Sequence, residues 1–444
     1  MKKQSSGYKG PALEAIRRAG AEIGDQICIT RNGEVYKGIL IPRSEYADDK
    51  HAVVKMKSGY NIGIRITQNT KIERTGKGAE PTFTSPATPT QNPNLPKVAI
   101  ISTGGTIASR VDYRTGAVRA ALTANDLYSV VPELSNIARI DTQILYSLMS
   151  ENITSKHWAE IAEVVAQKIT QGADGVVIAH GTDTMGYTAA ALSFALQNLP
   201  VPVVLVGSQR SADRPSSDAA TNLIAAVVAA AKAPLAEVVL AFHENLSDNV
   251  IALHRGTKVR KCHTTRRDTF QSVNVQPLAR VQNQEVTLLT GEYKKRDSMR
   301  KLDVKPEFSG EVGLLKFHPG MSPTVIDWYV EKGFKGLILE GTGLGHVSEY
   351  LYESIQKAIA NNVIVAMASQ CIWGRVNMNV YNTGRDLLTM GVVPLDDMLA
   401  ETALVKLMWV FGQTQDVEKA KELLKTDISG EFSPRILPSR MEKD

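Results

Sequence analysis

Apolar and polar positions follow three successive rhythms along the chain. Over residues 1–75 they alternate in short runs. QICIT at 26–30 and VYKGILI at 35–41 flank Arg31-Asn32-Gly33-Glu34, and two further runs, 53–56 and 60–66, flank Ser58-Gly59. A period of two is the pattern of a half-buried strand, and Asn-Gly between two such runs is a strong hairpin signal. These residues predict a small curled β-barrel. Residues 76–96, GKGAEPTFTSPATPTQNPNLP, lack the aliphatic content to bury a core. They read as a Pro/Thr/Ser-rich linker with a reach of roughly 25 Å as a flexible coil.

From Lys97 onward the rhythm is that of buried strands and helices in turn. The runs 98–102, 175–180, 203–207 and 238–242 are almost wholly apolar. Between them Trp158, Ile161, Val164, Val165 and Ile169 recur mostly at spacings of three and four, and 218–232 is an Ala-rich helical stretch. Strands buried on both faces, alternating with helices, predict an α/β doubly wound sheet. Residues 291–311 form a charged break, after which 312–317, 336–340 and 363–368 repeat the strand–helix pattern on a smaller scale, with a last helix near 416–425. The expected organisation is therefore a β-barrel (1–75), a linker (76–96), an α/β lobe (97–290), a second linker (291–311) and a smaller α/β lobe (312–444).

Composition narrows the class. The 444 residues are 43% hydrophobic, enough for a large core. No apolar run reaches the roughly 18–20 residues of a membrane span. The opening MKKQSSGYKG has no apolar stretch of a secretory signal. Cys28, Cys262 and Cys371 lie far apart without CxxC spacing, so a reducing, cytoplasmic setting is expected, with neither a disulfide framework nor a zinc site. His180, His243 and His318 lack the spacing of zinc ligands. The net charge of +5 is unevenly spread, since residues 1–75 carry 14 Lys and Arg against 8 Asp and Glu. A basic front on a near-neutral body fits an anionic partner such as nucleic acid; a solvated surface is the plain alternative.

Two strands end in candidate chemistry. Ser102-Thr103-Gly104-Gly105-Thr106 follows one, and Gly181-Thr182-Asp183-Thr184-Met185 follows His180 at the end of another. Ligands of doubly wound sheets bind beyond the carboxyl ends of the strands. Glycines there let backbone N–H groups approach an anion or oxyanion. The first stretch is not a P-loop, because no Lys-Ser/Thr follows at the required spacing, nor is it GxGxxG, a pattern that Gly341-Thr-Gly343-Leu-Gly345 also fails. A threonine at a strand end can also simply cap the next helix.

TGGTI together with HGTDT resembles the bacterial-type L-asparaginase and glutaminase family, and the likeness runs from about Lys97 to Phe411. The resemblance implies Thr103 as the nucleophile on a side-chain amide and a second cluster of Thr182, Asp183 and a lysine. KCHTTRRDTFQSVN (261–274) is similar to the family's Lys-x-Asn-Thr segment, with His263 in place of Asn. It points to Lys261, and Lys258 stands nearby as the alternative. Lys261 paired with Asp183 would polarise Thr182 and relay a proton, since a free threonine hydroxyl is a poor nucleophile. The resemblance further implies a catalytic Tyr113 in the loop after TGGTI, where the bland reading is an exposed loop aromatic. It implies substrate binding by Ser150 and Glu151, and oxyanion donors at Gly104 and Gly181. Ser150 could instead cap the helix starting near Ser155. The family's sites are completed within a dimer, for which the loop 377–382 with Tyr381 is the candidate here.

The basic front, the Pro-rich linker and the Ser150-Glu151-Asn152 form of the substrate loop resemble one branch of that family, the archaeal GatD subunits of glutamyl-tRNA(Gln) amidotransferase. GILIPR (38–43) and SGYNIG (58–63) carry the likeness in the front module. What this implies is hydrolysis of glutamine, or asparagine, to supply ammonia. A partner, the amidotransferase's E-type subunit, would use ATP and Mg to amidate Glu-tRNA(Gln), in a heterotetramer built on a homodimeric core. No cofactor is expected in this chain. A free-standing cytosolic L-asparaginase with an accessory domain and an inactive RNA-binding scaffold are the alternatives.

Overall fold

The computed structural model describes residues 7–43, 47–56, 61–77, 92–105, 109–111, 118–120, 131–210 and 217–436. The front module pairs five antiparallel strands: β1 (Gln26–Arg31), β2 (Glu34–Leu40), β3 (His51–Met56), β4 (Asn61–Arg65) and β5 (Thr70–Gly76), in the order β4-β3-β2-β1-β5. Asn32 and Gly33 have φ of 49° and 83°, and Arg31 pairs with Glu34, so a two-residue turn closes the β1–β2 hairpin as the sequence predicts. Two features differ from the expectation. The edge strands β4 and β5 share no ladder among the described residues, which leaves the curled sheet open along one seam. A helix, α1 (Gly10–Arg18), puts Ala12 and Ile16 into a small core with Ile27, Ile29, Val54 and Ile64. Its apolar face rests on two alanines and one isoleucine, too faint a stripe to stand out in the sequence.

The body holds an eight-stranded sheet. Its parallel part is β6 (Lys97–Gly104), β7 (Arg139–Leu148), β8 (Gly175–Ala179), β9 (Val203–Val206) and β10 (Val238–His243). Antiparallel β11 (Ile251–Arg255), and beyond the hairpin β12 (Val259–Lys261) and β13 (Phe270–Ser272), β14 (Ala279–Gln282) and β15 (Glu285–Leu288) extend it. The spatial order is β7-β6-β8-β9-β10-β11-β14-β15. The direction of winding therefore reverses between β6 and β8, and a crevice opens there beyond the strands' carboxyl ends.

Helices on both faces explain the unbroken apolar runs. Between β7 and β10 the chain also forms α2 (Ser155–Thr170), α3 (Met185–Ala195) and α4 (Ala219–Lys232). Val98, Ile100, Val177 and Val204 pack towards α4, while Ala99, Ile101, Ile178 and Leu205 pack towards α2 and α3.

The smaller lobe has four parallel strands, β16 (Val312–Lys316), β17 (Gly336–Gly341), β18 (Ile364–Ser369) and β19 (Val393–Pro394). It ends in α5 (Ala400–Gln413) and α6 (Val417–Lys425). The lobes share a core, in which Phe194 of α3 stacks on Trp409 of α5 with ring centroids 6.0 Å apart. The charged stretch 291–311 is docked along this body. Arg296 donates to the carbonyls of Ala230 and Ala231, Arg300 to that of Leu199, and Trp409 to the carbonyl of Lys305. Among the described residues no helix is long and apolar enough to cross a membrane.

Candidate active site

Three strand ends meet at the crevice, and glycines allow them to touch. Gly104 and Gly105 have φ of 116° and 81°, in the left-handed region that a side chain disfavours. A Cβ on Gly104 would fall 2.2 Å from the carbonyl oxygen of Leu148, and one on Gly105 2.6 Å from the amide of Gly181. A Cβ on Gly181 would fall 2.9 Å from Ser150 Oγ. The ends of β6, β7 and β8 are thus pressed together, with Thr103, Ser150 and Thr182 around one point.

Thr103 is buried, and its hydroxyl donates to the carbonyl of Ala179 at 3.0 Å. Lys261, at the end of β12, reaches in from the other side. Its Nζ donates to Thr182 Oγ1 at 2.9 Å and to Asp183 Oδ1 at 2.6 Å. Lys258 is elsewhere. It is fully buried and paired with the equally buried Asp397 at 2.7 Å, and burial pulls its pKa below the ordinary lysine range against the pull of that carboxylate. The structure brings Lys261 to Thr182 and Asp183, and turns Lys258 away into the lobe interface.

Ser150 is buried in a short 3-10 turn, Ser150–Asn152, while Glu151 is exposed. The helix α2 is capped by Thr154, not Ser150, through reciprocal contacts between Thr154 and His157. Ser150 is held instead by Thr184, whose Oγ1 donates to the Ser150 carbonyl at 2.6 Å. That leaves the Ser150 hydroxyl beside Gly181. Tyr113 lies outside the described residues, as do Thr106–Ala108 and 112–117 around it. Tyr381 of the loop 377–382 is exposed, its ring edge-on to His346.

Three further residues shape the site: His180 heads the HGTDT motif, and no motif in the sequence marks Trp158 and Thr188 as its partners. Trp158 Nε1 donates to Thr188 Oγ1 at 3.1 Å, Thr188 bonds His180 Nε2 at 2.9 Å, and His180 Nδ1 bonds the Gly181 carbonyl at 2.7 Å. Because the indole can only donate, the threonine proton goes to Nε2, and the other ring nitrogen carries the proton given to Gly181. Burial lowers the His180 pKa to about 4, which keeps the ring neutral in this role. His263, the departure from the family's Lys-x-Asn-Thr pattern, takes over a turn-capping task open to Asn. Its Nδ1 accepts from the amides of Thr265 and Arg266 at 3.0 and 3.1 Å.

Comparison with known proteins decides the family. Residues 97–293 match the model described as "Asparaginase, N-terminal", residues 311–424 the "Glutaminase/Asparaginase C-terminal domain", and residues 21–74 the "GatD N-terminal domain". The D-type subunit of glutamyl-tRNA(Gln) amidotransferase from Methanopyrus kandleri is 50% identical over 435 residues, covering 96% of this chain and 95% of its own length. The chain belongs to the GatD family of glutamyl-tRNA(Gln) amidotransferase subunits. The counterpart from Metallosphaera sedula is 49% identical over 432 residues, 97% of each chain. Among solved structures, the thermostable L-asparaginase of Thermococcus kodakarensis superposes with a TM-score of 0.68 at 33% identity, covering 76% of this chain and 100% of that one. The body is an asparaginase-type amidohydrolase fold, and the front module is what the GatD family adds to it.

Proposed function

We propose that this chain is the glutaminase subunit of a tRNA-dependent amidotransferase. Thr103 Oγ attacks the side-chain amide carbon of glutamine, and its proton passes to the amide nitrogen, which leaves as ammonia. Water then hydrolyses the acyl-enzyme to glutamate and restores the Thr103 hydroxyl. The observation that carries this reading is Lys261 Nζ bridging Thr182 and Asp183, just beyond the strand that pairs with the one bearing Thr103. An ammonium held against a threonine hydroxyl and a carboxylate orients Thr182 and can pass protons through it. Ser150 binds the α-carboxylate of the substrate, and Glu151 with Asp183 the α-ammonium. Backbone N–H groups at Gly104 and Gly181 receive the oxyanion, each such donor being worth about 10²–10³ in rate. Tyr113 completes the set from the loop after Gly105.

The ammonia goes to the E-type partner, which uses ATP and Mg to convert Glu-tRNA(Gln) to Gln-tRNA(Gln). This chain itself holds no cofactor in the proposal, and its homodimer, with 377–382 reaching the neighbour's site, forms the core of a heterotetramer. Free glutamine hydrolysis would be wasteful, and the Thr103 hydroxyl bonded to Ala179 fits a resting site that awaits its partners. The test is ammonia release from glutamine and from asparagine by the chain alone and with the E-type partner and Glu-tRNA(Gln). We expect stimulation by the full mixture, and loss of several orders of magnitude in Thr103→Ala, as for residues that act as a unit. A Thr103→Ala enzyme that keeps more than about a tenth of kcat overturns the nucleophile. Full asparagine hydrolysis by the lone chain, indifferent to tRNA, would return it to the plain asparaginase reading.

A further inference from the structure

The hairpin that delivers Lys261 to the first lobe's site is fastened to the second lobe. Thr257, entering it, accepts from Thr402 Oγ1 at 3.0 Å, and Lys258 pairs with Asp397. On the way out, Asn274 exchanges two hydrogen bonds with the backbone of Gly374, at 2.8 and 2.9 Å. Between these anchors runs β12, only three residues long. Side chains alternate across a strand. Val259 and Lys261 therefore face the first lobe, where Val259 joins its core, and Arg260 faces away. There Arg260 Nη2 meets Glu401 Oε1 at 3.1 Å, in the first turn of α5. The other oxygen of Glu401 is buried without a hydrogen-bond partner among the described residues, so among them Arg260 is what holds that carboxylate.

We propose that Arg260, through Glu401, is a positioning residue for Lys261: the ion pair fixes the strand whose opposite face aims the ammonium at Thr182 and Asp183. The proposal rests on the reading of the site given above. The geometry makes the second lobe a determinant of first-lobe chemistry. A shift of α5 pulls on Arg260, and the next side chain along moves relative to two bonds of 2.9 and 2.6 Å. Among the described residues the hydrogen bonds of Lys261 Nζ go to Thr182 and Asp183, both in the first lobe, while Arg260 is paired with Glu401.

The experiment compares kcat and KM for glutamine in the assembled enzyme, with the E-type partner and Glu-tRNA(Gln), for Arg260→Ala, Glu401→Ala, the double alanine variant, Arg260→Lys and the exchanged pair R260E/E401R. A misplacement on the ångström scale costs up to about a hundredfold, and loss of one anchor among several should lower kcat by about tenfold with KM held within about twofold. The double alanine variant should be no worse than either single one. The exchanged pair, and in part Arg260→Lys, should regain kcat. Unchanged kcat in Arg260→Ala with only a lower melting temperature would overturn the proposal, as would additive losses without recovery in the exchanged pair. Lys261→Ala is run alongside. If it retains activity, the reading of the site fails; if it is inactive while Arg260→Ala is unimpaired, only the positioning role fails.

Discussion

Lys258 and Lys261 stand three residues apart in opposite surroundings. The first is sealed in an ion pair with Asp397, both side chains at 0% exposure, and the second is 16% exposed at the crevice. Replacing each by alanine should separate stability from chemistry. Lys258→Ala strands the Asp397 carboxylate, and breaking a buried pair from one side typically costs about 3–5 kcal/mol. Urea unfolding should show that loss, while Lys261→Ala should unfold near the wild-type midpoint with its glutaminase activity gone. The reverse pattern would exchange the two lysines' roles. The sequence offered both because a spacing of three within a short hairpin does not say which side faces the crevice. Burial by the second lobe, well over a hundred residues away in sequence, decides it. Thr103, Thr182 and Asp183 were legible because they sit in two compact motifs at strand ends. The part of His180 was not, since it depends on Trp158 and Thr188 reaching it from two different helices.

At the level of elements, the strand ends were the best-marked feature of the chain. Continuous apolar runs gave β6, β8, β9 and β10, and the glycines after β6 gave the crevice. The helix α1, the open seam between β4 and β5 and the docking of 291–311 were hidden, because each is set by contacts that leave no periodic trace. The glycines allow a direct test. In Gly105→Ala the new methyl would meet Gly181 and the His180 carbonyl carbon within 3 Å, at a φ of 81°. The β8 turn has to move away from Thr103, so kcat for glutamine should fall by about a hundredfold or more; near-normal kcat would show that the two strand ends do not need this contact. Two buried histidines, one in this turn and one at the end of β10, carry a pH signature. His180 and His243 are both held neutral by burial, with pKa values lowered to about 4. In the unfolded chain they take up a proton near 6.5, so below that pH the unfolded state binds more protons than the folded one. Stability should drop as pH falls from about 6.5 towards 4, by up to roughly 1.4 kcal/mol per pH unit for each histidine. Unfolding by urea at pH 7 and pH 5 measures it, and a His180→Gln variant should show a shallower slope; an equal slope would remove His180 from the account.

For the whole molecule the question is what the front module contributes. It has its own core, with Tyr8, Ile16, Ile27 and Leu40 buried at its centre. The body without it corresponds to a complete protein elsewhere, since the Thermococcus kodakarensis L-asparaginase is covered along its entire length by 76% of this chain. Removing residues 1–75 should therefore leave a soluble, cooperatively folded body with Thr103, Thr182, Asp183 and Lys261 in place. The deleted part carries the chain's excess of positive charge, with Lys9, Arg17, Arg18, Lys37, Lys50 and Arg65 all exposed. If those charges meet tRNA phosphates, the truncated chain with the E-type partner should lose part of the stimulation by Glu-tRNA(Gln). The wild-type stimulation should then fall steeply with added salt, because each neutralised phosphate releases condensed counterions and lowers the binding constant as salt rises. The measurement is the glutaminase rate of both chains with the E-type partner, with and without Glu-tRNA(Gln), across a salt series. Reduced stimulation with a shallower salt slope in the truncated chain places the module on the tRNA. Reduced stimulation with an unchanged slope places it on the protein partner instead, and equal stimulation in both chains removes it from the coupling altogether.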